Sequence, residues 1–139
     1  MARFQGHIAT LSPANLLPKE AVQYNAVSTE EAGFEATQKV LDSGLKPDAL
    51  VCASDLIAVG AIKCLKKHGL RVPEDILVSG YDNIPISAFT TPTLTTVQQN
   101  TKKAGELLVS NLVRLIKEET VADHLMPAEL IVRQSSTKP

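Results

Sequence analysis

Apolar positions along the chain switch repeatedly between two periods. The uninterrupted run Ile76-Leu77-Val78 stands between Pro73 and Gly80 and reads as a strand buried on both faces of a parallel sheet. Ala49 to Cys52, opened by Pro47-Asp48, reads the same way. Helical spacing predicts α-helices over Arg3 to Leu11, from Ser28 or Thr29 to about Asp42, from Leu56 to His68, and from Asn100 to about Lys117. In the last of these, Ala104, Leu107, Leu108, Leu112, Leu115 and Ile116 climb one face. Ser28 or Thr29, Asp55 and Asn100 are the predicted N-caps, and Ser43-Gly44 is the predicted stop of the second helix. Pro18 confines Leu16 to Glu20 to a loop, and Ala21 to Tyr24 reads as a short strand. Ile84 to Phe89 reads as a helical turn, Pro92 to Val97 as extended chain, Glu118 to His124 as a loop and Glu129 to Arg133 as a final strand. Strand and helix alternate throughout, so the fold class is α/β, with a mostly parallel sheet covered on both faces.

One helix departs from a simple amphipathic stripe. Leu56, Ile57, Ala58, Val59, Ala61 and Ile62 make its first two turns apolar nearly all round. Such a circumference calls for cover on two sides. One side is expected on the sheet and the other against a second copy, which makes Leu56, Ile57, Val59 and Ala61 the predicted dimer interface.

Composition narrows the function. The formal net charge of −1 over 139 residues gives no electrostatic footprint for nucleic acid, so any DNA contact is expected through a part outside this chain. No apolar run approaches the roughly 20 residues that cross a bilayer, and MARFQGHIA holds no signal-peptide core. Cys52 and Cys64 lack CxxC spacing and read as buried thiols of a reducing compartment, so a cytoplasmic location is expected. His7, His68 and His124 are scattered without metal-ligand spacing. No GxSxG, HExxH, GxGxxG or GxxxxGK[ST] occurs. The expectation is a protein that is no enzyme and carries neither cofactor nor metal.

Candidate chemistry gathers where the strand at Ile76 ends. Tyr81-Asp82-Asn83 follows it, and ligands of open α/β sheets collect at the carboxyl ends of strands. Asp82 is there either a ligand acceptor or a loop-capping carboxylate, and Asp-Asn before Ile84-Pro85 is also ordinary turn chemistry. The same stretch carries a set of words in fixed order: Ser54-Asp55 with Ala58 and Gly60, Gly69-Leu70-Arg71-Val72-Pro73-Glu74-Asp75-Ile76, Gly80-Tyr81-Asp82-Asn83, Pro92-Thr93-Leu94-Thr95-Thr96-Val97, Gly105, and Leu130-Ile131-Val132-Arg133-Gln134-Ser135-Ser136. Over roughly Pro47 to Thr137 these resemble the effector-binding part of the lactose-repressor (LacI/GalR) family of bacterial transcription regulators.

That resemblance implies an incomplete three-layer, parallel-sheet lobe of the periplasmic-binding-protein-like (type I) fold. It implies that residues 1–97 and 126–137 form the C-terminal lobe. Residues 98–125 would be a crossover helix belonging to the N-terminal lobe, flanked by crossovers at Thr95 to Gln98 and Ala122 to Pro127. Most of the N-terminal lobe and the DNA-binding headpiece have no counterpart in the chain. The family's effector aspartate falls on Asp82, a polar contact on Ser54, an arginine contact on Arg3, and a ligand-stacking aromatic on Ser28, where serine cannot stack. Ser54 also reads as a simple turn residue, Arg3 as a frayed end, and Asn83 as a turn residue. The implied function is to sense a sugar or nucleoside-like effector and control operator binding allosterically, as a homodimer. A solute-binding protein of a sugar transport system shares the fold and is the alternative.

Overall fold

The computed structural model describes residues 2–15 and 24–138, with the side chains of residues 2 and 3 left aside. The expected loop at Leu16 to Glu20 and most of the expected strand at Ala21 to Tyr24 lie outside the described residues. Helix α1 spans Ala2–Leu11. Helix α2 spans Glu30–Asp42: the Thr29 side chain accepts from the Ala32 N–H at 3.2 Å, Glu30 and Glu31 fill its first turn, and Gly44 at φ 77° follows its end. Strand β1 (Ala49–Val51) leads to helix α3 (Asp55–Lys67), and α3 to strand β2 (Leu77–Ser79).

β1 and β2 pair in parallel, Val51 opposite Ser79, and a single parallel bridge joins Ser79 to Thr95. β2 is the inner strand of the three, with Val78 fully buried. β1 is not the doubly buried strand its apolar run predicts. Val51 stays 65% exposed and Ala49 is also exposed, because among the described residues nothing pairs with its outer edge.

The core lies between α3 and β2. Ala58, Ile62 and Leu65 of α3 meet Val72, Ile76, Val78 and Leu94 there. The opposite side of α3 is covered by α2 of the same chain. Gly33 faces the Ile57 backbone and Gly60 faces the backbones of Glu30 and Phe34, so close that neither position has room for a Cβ. This corrects the expectation that α3's second apolar side awaits a partner. Ile57 and Ala61 are 8% and 1% exposed, already buried within one chain, whereas Leu56 and Val59 remain half-buried.

A 3₁₀ turn at Pro85–Ala88 follows β2, where a helical turn was expected. Strand β3 (Thr96–Gln99) then runs antiparallel to β4 (Ala128–Ile131), with Thr96 opposite Ile131 and Gln99 opposite Ala128. The described strands are therefore not all parallel, and β4 lies close to the final strand expected at Glu129 to Arg133. Between the two strands lies helix α4 (Thr101–Ile116), capped by Asn100, whose side chain accepts from the Lys103 N–H at 2.9 Å. None of its 16 residues is buried. Its apolar ladder borders only a recess of about 470 Å³ shared with the 121–126 segment. Leu108, Leu112 and Ile116 are 72%, 58% and 73% exposed.

Candidate functional site

Strand register brings the first candidates together. Ser54 and Asp82 each lie three residues past the ends of paired parallel strands, β1 at Val51 and β2 at Ser79. The Asp55 N–H donates to the Tyr81 carbonyl at 2.9 Å and ties the two turns to each other. This is the carboxyl end of the parallel strands, where such sheets collect ligands.

Asp82 is half-buried, and its backbone has φ 104°, a conformation uncommon for a residue with a Cβ. Asn83 follows at φ 49°. Two such residues in succession cost on the order of 1–3 kcal/mol each unless the surroundings hold them. The Asp82 N–H is held by the Val97 carbonyl at 2.9 Å. The Gln99 side chain donates to the Asp82 carboxylate, from Nε2 to Oδ1 at 3.1 Å.

Ser54 is buried and caps α3: its Oγ accepts from the Ile57 N–H at 3.4 Å. The cap expected of Asp55 is thus supplied one residue earlier, because Ser54 has the extended backbone of a cap and Asp55 is already helical. Ser28 donates its hydroxyl to Ser54 Oγ at 2.7 Å, so two of the four candidate positions touch. Arg3 lies on α1, and its side chain is outside the described residues.

Three residues whose types and positions marked them as no more than structural prove central to this end of the sheet. Asp55 is 1% exposed; its Oδ2 accepts from the Ile84 N–H at 2.8 Å and its Oδ1 from the Thr96 hydroxyl at 2.6 Å. Asn83 has turn geometry, as its place before Ile84-Pro85 suggested, but its side chain also reaches outward. Its Nδ2 donates to Gln98 Oε1 on β3 at 2.8 Å, and its Oδ1 accepts from Arg133 Nη2 at 2.8 Å. Arg133, just past β4, donates through Nη1 to Ser87 Oγ and to the Leu94 carbonyl. Only the word Leu130 to Ser136 pointed toward Arg133 in advance, and nothing local distinguished its role.

The cysteines are both free. Burial, then the charge of Asp55, pushes the Cys52 thiol up to about 12, and burial is also the main cause raising Cys64. Among the described residues no group of His, Cys, Asp and Glu could hold a metal ion. A recess of about 650 Å³ along Lys66, Arg71, Pro73, Pro92 and Gln134 contains none of the candidate residues. It is an open surface groove.

Residues 2–136 match the periplasmic binding protein-like domain. The chain belongs to that family. It is similar to the HTH-type transcriptional repressor PurR of Mannheimia succiniciproducens, 36% identical over 141 residues, which takes in 98% of this chain and 41% of the relative. Among solved structures, a dimeric Lac repressor with a C-terminal deletion superposes at a TM-score of 0.90, with 30% identity, over 99% of this chain and 50% of that one. The transcriptional regulator CelR in complex with cellobiose superposes at 0.89, with 33% identity, over 96% of this chain and 42% of that one. The chain spans about two-fifths of the curated relatives it matches and half or less of the solved chains. The periplasmic-binding-protein-like α/β fold and the resemblance to LacI-type regulators therefore hold, and the relatives are repressors rather than enzymes. Among the described residues no helix is long and apolar enough to cross a membrane.

Proposed function

We propose that the chain is part of the effector-binding region of a bacterial LacI-type transcriptional regulator. It takes a small hydroxyl-bearing molecule, a sugar or a nucleoside-like ligand, at Asp82, with Ser54, Ser28 and Arg3 around it. Effector binding changes the affinity of the whole protein for operator DNA, through a headpiece outside this chain, in the cytoplasm. An effector can do this only by binding the two states of the protein differently.

The observation that carries the reading is the Asp82 carboxylate. It stands at the carboxyl end of the parallel strands, half-buried, with Gln99 as a side-chain donor, and an ionised carboxylate accepts two or more hydroxyl or N–H groups. The cellobiose complex of a regulator with the same fold supports a sugar-like ligand. The solute-binding alternative is not favoured, since the curated relatives are named as transcriptional repressors.

In this reading residues 98–125 belong to the second lobe, and the unburied α4 finds its cover there. The whole protein works as a homodimer, as the similar Lac repressor is described. Leu56 and Val59 are what α3 retains for that contact, Ile57 and Ala61 being enclosed by α2.

The test is a thermal-shift titration of the full-length regulator against a panel of sugars, cellobiose included, and nucleosides. Asp82→Asn removes the charge while keeping a residue type that tolerates positive φ. It is expected to weaken binding by about 1.5–3 kcal/mol, the worth of a charge-assisted hydrogen bond, and to leave the unliganded melting temperature nearly unchanged. A ligand shift of full size in that variant removes Asp82 from the site.

A further inference from the structure

We propose that Asp55 is the positioning residue for the Asp82 carboxylate and the joint between the Asp82 loop and β3. The proposal rests on the reading of Asp82 as the effector's acceptor. Asp55 does not serve as the cap of α3, which Ser54 provides, and at 1% exposure it has no access to a ligand. Its bonds instead bracket the residues of unusual backbone. Its N–H holds the Tyr81 carbonyl on one side of Asp82 and Asn83, and its Oδ2 holds the Ile84 N–H on the other. Its Oδ1 takes the Thr96 hydroxyl, and Thr96 Oγ1 in turn accepts from the Asn83 N–H at 3.2 Å. One buried carboxylate thus links α3, the 81–84 loop and the start of β3, the strand that also carries Gln99 to the Asp82 carboxylate.

Gly80 belongs to the same device. A Cβ there would stand 2.2 Å from Asp55 Oδ1, so the end of β2 is kept bare to let the carboxylate close in. Loss of the bracket frees residues 82 and 83 to leave positive φ, and the Asp82 carboxylate then swings from Gln99 and from any bound hydroxyl.

The experiment uses the full chain labelled with ¹³C and ¹⁵N. In the wild type, a scalar coupling across the hydrogen bond from Ile84 ¹⁵N to the Asp55 carboxyl carbon is expected, and its absence overturns the bracket before any variant is made. Asp55→Asn and Gly80→Ala are each expected to raise amide exchange at Ile84 by about tenfold or more. Both should also move the Asp82 carboxyl and Gln99 side-chain amide resonances. Leu65→Ala, a cavity in the core ten residues along α3 from Asp55, should lower the melting temperature and leave those resonances in place. If the loop variants lower stability and the Asp82 and Gln99 signals stay put, Asp55 is a scaffold residue only. Full-length protein titrated with cellobiose separates the two readings. Resonances that move in Asp55→Asn while Asp82→Asn binds normally retain the bracket and discard the effector assignment alone.

Discussion

Arg71 and Asp75, four positions apart, close the turn between α3 and β2 with a paired contact. Nη2 meets Oδ1 at 2.7 Å, Nε meets Oδ2 at 3.0 Å, and the Arg71 N–H adds a third bond to Oδ2 at 2.8 Å. The Arg71 side-chain hydrogen bond first, and its backbone N–H second, hold the Asp75 carboxyl down at about 2 from an ordinary 3.8. A depressed carboxyl contributes stability above its unfolded value and loses it as pH falls through the folded one, so the window runs from 3.8 down to about 2. Both groups face solvent, so screening keeps the energy small. A carboxyl titration followed by NMR should place the Asp75 midpoint near 2, and Arg71→Ala, which keeps the backbone N–H, should raise it part of the way back toward 3.8. A midpoint that stays low in that variant shows that Arg71 is not the cause. Local chemistry of this kind is legible in a sequence, since both partners lie within one turn. Thr29, Asn100 and Gly44 were legible for the same reason. The misplaced cap at Asp55 marks the limit of that logic: Ser54 and Asp55 are both good caps by type, and only backbone dihedrals separate them.

The pairing of α2 with α3 depends on two glycines that the helical pattern alone gives no reason to prize. Gly60 lies so close to α2 that a Cβ would stand 2.0 Å from the Glu30 carbonyl oxygen, a backbone atom that cannot step aside. Gly60→Ala is expected to destabilise by about 1–3 kcal/mol, the usual cost of overpacking, despite alanine's better helix propensity. Gly6→Ala on α1, where nothing lies within 4 Å, should instead gain up to about 1 kcal/mol. Urea unfolding of both variants measures the contrast, and an equal gain in the two would mean that α2 does not pack here. This contact also explains why the apolar circumference of α3 misled: periodicity counts the sides that need cover and cannot say which segment provides it. The outcome at Ile57 and Ala61 was burial within the same chain, with Gly33, 24 positions upstream, packed on the Ile57 backbone.

For the whole molecule, burial divides the chain unevenly. Ala58, Cys64, Leu65, Val78 and Leu94 are at 0% exposure, whereas α4 and the β3–β4 ribbon contribute almost nothing to the core. Opening free energies should follow, since segments with few buried apolar contacts open first. Hydrogen exchange of the full chain should show α4 amides exchanging about 100-fold or more faster than those of α3. Equal protection in both helices would mean that α4 is covered in solution. The extent and amphipathic face of α4 were plain from spacing, and its lack of cover was not, because an apolar stripe looks the same whether or not anything lies on it.

The amino-acid sequence by itself determined where the helices and strands lie, which polar residues cap them, and the ordered words that place the chain among LacI-type relatives, because each of these is settled within a few consecutive residues. The tertiary structure alone decided that Asp55 binds Ile84 and Thr96, 29 and 41 positions away, that Asn83 meets Arg133, and that Ser28 touches Ser54. Those pairs follow from the register of β1 on β2 and the bridge of Ser79 to Thr95. Such a register is chosen by the packing of all its residues at once, so no short stretch of sequence contains it.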